Sequence, residues 1–347
     1  MILVTGATGL LGSYILLELL QQDEPVRAIT HNPESRSKLY RMFKSTGADL
    51  SLLERVEWVT GDILDYFSLL DAMKGVEKVY HCAGFVSFSS FDKEKLEQIN
   101  AEGTANVVNA ALESGVRKLA FSSSVAALGR TENTLVIDEK SQFKASKLNS
   151  QYALSKFAAE REVWRGSAEG LEVVIVNPSI IFGYGDHSSG STKMFSTLYK
   201  YNYFYGKGST GFVGAVDVAR IMVTLMESDI INERFLVSAG DYSYKQVFSW
   251  IAEGFGNTAP RFAIPNWVLG VVWRFEWLTA KINPSHHPLI TRETARTSLN
   301  SFSYSSKKLL SIINFEYTPL PDVIKKVCQA MLPELEKKND INWQPES

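Results

Sequence analysis

The chain has 347 residues, of which 45% are hydrophobic and 21% charged, with a formal net charge of −2 at pH 7. That length accommodates one large α/β domain plus a smaller partner. The near-neutral balance gives no overall electrostatic reason to expect nucleic acid or an anionic membrane as partner. Cys82 and Cys328 match no metal-ligand spacing and read as reduced, partly buried thiols, so no metal is expected. A strand pattern opens at Ile2, which leaves no room for a signal peptide and makes a cytoplasmic setting the expectation.

In chain order, Ile2–Thr5, Val26–Thr30, Val56–Thr60, Lys78–His81, Leu119–Ser122 and Val173–Val176 read as strands. Segments of helical period, such as Leu10–Leu20 and Glu94–Ser114, lie between them. This alternation predicts right-handed βαβ units and a Rossmann-type, doubly wound parallel sheet covered on both faces. After Pro178 the rhythm fades, although a helix at Val216–Glu227 and a strand at Phe235–Val237 return to the sheet. Residues 1–178 with about 214–239 are therefore expected to form the dinucleotide-binding domain. Residues 179–213 and 240–336 would form a smaller, mainly helical substrate-binding cap, and 337–347 a frayed polar tail. The apolar stretch Trp267–Leu278 is interrupted by Arg274 and Glu276, well short of the ~20 residues that span a bilayer. Trp267, Val271 and Arg274/Phe275 recur at helical spacing, which predicts an amphipathic helix packed on the protein, with core packing favoured over a hydrophobic substrate wall or a shallow membrane contact.

Ile2–Val4 runs into Thr5-Gly6-Ala7-Thr8-Gly9-Leu10-Leu11-Gly12 and then an apolar helix. A glycine-rich strand-to-helix turn lets the backbone approach a pyrophosphate, and the helix N-terminus offers free N–H groups and a positive dipole end. Gly6 would make the tight turn, Gly9 admit the phosphates and Gly12 let helix pack on strand; Thr8, Leu10 and Leu11 belong to the same cradle. An acidic residue at the end of the second strand would select NAD, a basic environment NADP. Asp23 and Glu24 precede that strand, and after it come Thr30, His31, Asn32, Arg36 and Lys38. No carboxylate stands at the expected point, so NADP(H) is favoured, with NAD(H) as the alternative. Asp62 and Ile63, after the third strand, are candidates for the adenine, although Asp62 reads equally well as a helix N-cap.

Tyr152 and Lys156 stand four residues apart, on one face of a helix. An ammonium beside a phenol favours the phenolate and would lower its pKa from ~10. A phenol so placed can exchange a proton with a carbonyl oxygen. Ser122-Ser123-Ser124 ends the fifth strand, at the sheet edge where open α/β sheets bind ligands. One of these hydroxyls could hydrogen-bond the reacting oxygen.

Together these pieces resemble the extended short-chain dehydrogenase/reductase family over nearly the whole chain. The glycine turn is joined by Gly61-Asp62-Ile63, His81-Cys82-Ala83-Gly84, Asn100-x-x-Gly103-Thr104-x-Asn106-Val107, Phe121-Ser122-Ser123-Ser124, Tyr152-x-x-Ser155-Lys156-x-x-Ala159-Glu160 and Asn177-Pro178-Ser179. The resemblance implies that Tyr152 is the general acid/base, that Lys156 binds the nicotinamide ribose and tunes the phenol, and that Ser124 holds the substrate oxygen. It also implies that Ala83, Gly84 and Ser122 lie against the cofactor, and that Pro178, Ser179 and Ile180 border the nicotinamide. Val26-Arg27-Ala28 and Asn32-Pro33 are most similar to the dihydroflavonol reductase and cinnamoyl-CoA reductase branch. That branch usually carries an arginine where His31 stands, so Arg36 or Lys38 would have to hold a 2′-phosphate. Nucleotide-sugar epimerases and dehydratases share the core, but Ala127-Leu128-Gly129 replaces the epimerases' usual Val-Tyr-Gly. Val125-Ala126 replaces the dehydratases' Asp-Glu.

On the substrate side, Phe85, Phe88, Tyr199, Tyr203, Phe204 and Tyr205 offer an apolar, aromatic lining, with Phe85, Ser124 and Tyr152 the expected contacts. Arg220, Arg234, Arg261, Arg292 and Arg296 could clamp a diphosphate, whereas His187, His286 and His287 read as loop residues. The leading expectation is an NAD(P)-dependent reductase of a ketone, aldehyde or thioester carbonyl on a small molecule, acting as a monomer or homodimer. A nucleotide-sugar epimerase is the alternative, and a non-catalytic NADP-binding regulator is a third reading.

Overall fold

The computed structural model describes residues 1–130, 136–144, 146, 148–186, 190–283, 288 and 290–341, with 338–341 described for backbone alone. His187, His286 and His287 lie outside the described residues. Seven strands form the central sheet: β1 (Ile2–Thr5), β2 (Val26–Thr30), β3 (Glu57–Thr60), β4 (Lys78–His81), β5 (Lys118–Ser122), β6 (Glu172–Pro178) and β7 (Glu233–Val237). Their order is β7-β6-β5-β4-β1-β2-β3, and every neighbouring pair is parallel. The chain builds outward from β1 to β3, then crosses to β4 on the other side of β1. That reversal opens a crevice at the carboxyl ends of β1 and β4, where such sheets take their ligands.

Alternation along the strands fills both faces. In β1, Ile2 and Val4 face one apolar layer and Leu3 the other; in β6, Val174 and Val176 oppose Val173 and Ile175 in the same way. The first layer holds helices Leu10–Gln21 and Ala215–Glu227, the second Tyr66–Ala72, Gly103–Glu113 and Gln151–Ala168. Each buried Leu, Ile or Val contributes roughly 1.5–3 kcal/mol relative to exposure, so burial on both faces explains why these strands read as continuous apolar runs.

Three expectations need correction. The single helix expected over Glu94–Ser114 is interrupted by a π-helical turn at Glu97–Glu102, which places Asn100 inward and buried. The C-terminal helix runs from Leu320 to Ile341, past the expected start of fraying at Lys337, because Leu320, Ile324, Cys328, Met331 and Leu335 anchor it in the first apolar layer. The helix predicted around Trp267 spans Asn266–Ile282, but of its residues only Leu269 and Ala280 are buried. Trp267, Phe275 and Ile282 are 73%, 66% and 76% exposed.

Candidate active site

The glycine turn is a cradle that side chains would fill. Gly6 adopts φ +67°, and a Cβ there would lie 2.5 Å from the Ala83 nitrogen at the end of β4. A Cβ on Gly12 would lie 2.2 Å from the Gly6 carbonyl oxygen, so the helix can seat against the turn only as glycine. Gly9 is the N-cap of the helix Leu10–Gln21 and supplies no side-chain cap, and no acidic residue occupies the first turn. The helix start therefore presents N–H groups and a positive end to the crevice, which fits a pyrophosphate.

At the end of β2, Ser35 donates to Thr8 (3.2 Å), tying the following turn to the glycine loop. His31 is exposed. Lys38 is paired with Asp186 at 2.7 Å, whereas Arg36 stacks over Trp58 at 4.8 Å and its Nε has no hydrogen-bond partner among the described residues. Asp62 accepts from the Leu64 amide (3.0 Å) in a local turn; the N-cap of the next helix is Asp65 instead. Ile63 is buried, and Gly103 leaves room for it, since a Cβ there would meet its Cδ1 at 2.7 Å.

Behind β4 runs a chain of hydrogen bonds. The Ala83 amide donates to Thr5 Oγ1 (3.3 Å), Thr5 Oγ1 meets His81 Nδ1 (2.7 Å), and His81 Nε2 meets Thr104 Oγ1 (2.9 Å). Thr104 Oγ1 in turn donates to the Asn100 carbonyl (2.6 Å). Burial pulls His81 down to about 3, so the ring is neutral near pH 7. Asn100 clamps the loop beyond β4: its Oδ1 accepts from the Phe85 amide (2.7 Å), and its Nδ2 donates to the Phe85 carbonyl (2.9 Å) and Ser155 Oγ (2.9 Å). Pattern reading named Asn100 within a motif but gave it no task; its inward aim comes from the π turn.

Helix Gln151–Ala168 starts on an N-cap from Ser150, whose hydroxyl accepts from the Ala153 amide (2.9 Å). That places half-buried Tyr152 beside Ser124. Ser124 also caps a 3-10 turn, accepting from the Ala126 amide (3.1 Å). One turn further along, buried Lys156 donates to the Ser122 carbonyl (2.7 Å), with its Nζ 4.4 Å from the Phe121 ring centre. A Cβ on Gly84 would come within 3.9 Å of that Nζ, so β4, β5 and this helix converge on one cleft. The expectation that Lys156 lowers the Tyr152 pKa is corrected. Burial instead raises the phenol above 10.0, opposed by the neighbouring Ser124 hydroxyl, while the ammonium is turned onto Ser122. Burial also pulls Lys156 down to about 8.

Beneath Ser124 lies a buried polar network. Glu160 accepts from Ser123 Oγ (2.7 Å), Asn177 Nδ2 (2.8 Å) and Arg234 Nη1 (3.0 Å), and Asn177 Nδ2 also donates to the Ser124 carbonyl (3.0 Å). Arg234 is thus a structural partner of Glu160 rather than a phosphate clamp, and Arg220 faces Glu18 at 3.7 Å. Pro178 is buried at the end of β6, the Ser179 hydroxyl is buried without a partner, and Ile180 begins a strand paired with Phe212.

Phe88, whose ring meets Tyr152 edge-on at 5.8 Å, also lines a cavity of about 380 Å³, although the expected substrate contacts Ser124 and Tyr152 are not themselves among its lining residues. Phe88, Leu148 and Phe302 line it with Arg130, Arg292, Glu293 and Arg296. Tyr199, Tyr203, Phe204 and Tyr205 are not among its lining residues, and the Phe85 ring lies under Lys95 Nζ at 4.4 Å. The expected aromatic wall is therefore largely replaced by a mixed, basic one. Glu293 accepts from the Gln151 amide (3.3 Å), while its Oε2 is buried without a hydrogen-bond partner among the described residues and burial raises its carboxyl pKa. Arg130 and Glu293 carry no motif and meet only through the fold.

Comparison with known proteins agrees with this architecture. The profile of the NAD dependent epimerase/dehydratase family matches residues 2–237. Sterol demethylase protein B of Methylococcus capsulatus is 30% identical over 314 residues, covering 89% of this chain and 88% of that protein. Cinnamoyl-CoA reductase 1 of Petunia hybrida is 29% identical over 275 residues, covering 76% of this chain and 78% of that protein. The crystal structure of gox2253 superimposes with a TM-score of 0.76 at 27% identity, covering 96% of this chain and 98% of that one. The chain belongs to the NAD-dependent epimerase/dehydratase family and is an NAD(P)-dependent enzyme of the extended short-chain dehydrogenase/reductase type.

Proposed function

We propose that this enzyme is an NADP(H)-linked carbonyl reductase whose substrate carries an apolar body and a polar or anionic end. The observation that supports it most is the convergence of Ser124, Tyr152 and Lys156 on one cleft, with Phe88 packed edge-on against Tyr152 and also lining the basic cavity. A bound dihydronicotinamide supplies the hydride in such a reaction. Tyr152, kept protonated by its raised pKa, gives its phenolic proton to the oxygen of the reduced carbonyl, so C=O becomes CH–OH. Ser124 holds that oxygen in line with the phenol, and Lys156, fixed by Ser122, reaches the ribose side of the cleft. Phe88, Leu148 and Phe302 receive the apolar body, while Arg292 and Arg296 meet an anionic group and Glu293 Oε2 accepts from a ligand hydroxyl.

The relatives named as a cinnamoyl-CoA reductase and a dihydroflavonol 4-reductase support the reductase reading. Arg292 and Arg296 also suit a diphosphate, which keeps nucleotide-sugar epimerisation as the second reading. Cofactor-free protein given NADPH and a panel of acidic aromatic or alicyclic ketones and aldehydes is expected to consume NADPH. Interconversion of a UDP-sugar with no net cofactor change would favour the epimerase instead. Arg36→Ala is expected to weaken NADPH binding by about tenfold with little effect on NADH, in line with a 2′-phosphate contact; equal losses for both would remove the NADP preference.

The lowered Lys156 pKa has a defined sign. Its ammonium is present below about 8 and lost above it, so kcat/KM for the cofactor falls on the alkaline side. A pH profile of kcat/KM checks this, and Lys156→Arg, which stays charged, should flatten that limb.

A further inference from the structure

The helix Asn266–Ile282 shows solvent an apolar face that the fold leaves uncovered. Trp267, Val271, Phe275, Leu278 and Ile282 follow one another at spacings of four, four, three and four, and all are exposed. These spacings place them on one stripe of the helix. Singly exposed apolar residues are ordinary, but a continuous stripe marks a contact surface. Just ahead of it in the chain, Phe204 and Phe262 pair ring to ring at 6.2 Å, and each is more than half exposed. The charges on this segment are one-sided. From Arg261 to Asn283 the basic residues are Arg261, Arg274 and Lys281, all exposed, while the lone acid, Glu276, is half-buried away from the stripe. The near-zero net charge of the whole chain hides this local asymmetry.

We infer that this face is a docking surface for an anionic phospholipid bilayer. Tryptophan and phenylalanine rings enter the headgroup boundary while flanking Arg and Lys meet lipid phosphates, the pattern of interfacial amphipathic helices. The helix is 17 residues long, and no helix among those described is long and apolar enough to cross a membrane, so it lies on the surface rather than through it. The opposite side of the same helix contributes Leu269 and Trp273 to a second cavity, which shares Arg292 and Arg296 with the first. A docked helix thus sets the substrate cavities beside the bilayer, whichever reaction they serve.

The test is cosedimentation of the full chain with phosphatidylcholine–phosphatidylglycerol vesicles and with pure phosphatidylcholine vesicles, alongside a Trp267→Ser/Phe275→Ser/Ile282→Ser variant. The wild type should bind the anionic vesicles, more weakly at high salt, and the variant should lose about tenfold or more in partitioning. Because the three residues are exposed, the variant should keep the wild-type Tm, and that measurement separates lost docking from lost folding. Failure of the wild type to bind, or equal binding by a variant with wild-type Tm, would overturn the proposal. So would a lipid-independent dimer that the same substitutions dissociate.

Discussion

Tyr152→Phe is expected to lower kcat by roughly 10²–10⁴-fold, the usual range for removing a positioned acid. At about 1.36 kcal/mol per decade, that is roughly 2.7–5.5 kcal/mol of transition-state stabilisation. The substitution removes one O–H and leaves the ring that packs against Phe88 in place. Cofactor and carbonyl binding should therefore stay within about threefold, because the loss falls on an interaction made only in the transition state. Steady-state kinetics with NADPH and any accepted carbonyl would decide it, and a kcat within about twofold of wild type would remove the proton-transfer role. Burial raises the phenol pKa, so near pH 7 the group carries its proton.

Glu160→Ala should be the most damaging substitution for stability. Glu160 is almost fully buried and gathers Ser123, Asn177 and Arg234 around one carboxylate. Removing one partner of a buried ion pair typically costs ~3–5 kcal/mol, since the other charge is left uncompensated. Arg234 keeps its bonds to the carbonyls of Glu139 and Ser141, which places the expected loss near the lower end, about 3 kcal/mol. The urea midpoint should fall at unchanged slope. Glu160→Gln preserves the shape and one acceptor, and should lose less. Asn177 links this carboxylate to the Ser124 carbonyl, so activity should fall as well in molecules that are still folded. Wild-type stability in the alanine variant would show that Arg234 is satisfied without Glu160.

The sheet was legible because parallel strands buried on both faces must be apolar nearly throughout; only the edge strand β3, with no fully buried residue, departs from that. The glycine turn was legible because Gly6 and Gly12 cannot carry a Cβ at the observed approach, and a Cβ on Gly9 would be tight. Ser124, Tyr152 and Lys156 could be placed together since two lie on one helical face and the third ends the neighbouring strand. Other features depend on long-range packing and leave no local trace. Arg130 and Glu293 are far apart in sequence, and only the fold lets them line one cavity. The Tyr152 phenol moved opposite to expectation because spacing reveals a neighbouring charge but not how far both groups leave water. The 266–282 helix had the correct period, yet periodicity does not tell whether an apolar stripe faces inward or outward. Asn100 was visible as a motif residue, but its aim required a π turn that no propensity marks.

The hydrogen-bond chain behind β4 has only one self-consistent arrangement of protons. Thr104 commits its hydroxyl proton to the Asn100 carbonyl, so its oxygen must accept from His81 Nε2–H, and Nδ1 must receive the proton of Thr5. Every bond from the Ala83 amide to the Asn100 carbonyl is thereby fixed, while burial keeps the ring neutral. His81 therefore holds a single, solvent-shielded imidazole proton in one tautomer across neutral pH. In spectroscopic terms the protein carries its own label: one ring N–H resonance whose position and exchange report whether the nucleotide side of the cleft is intact.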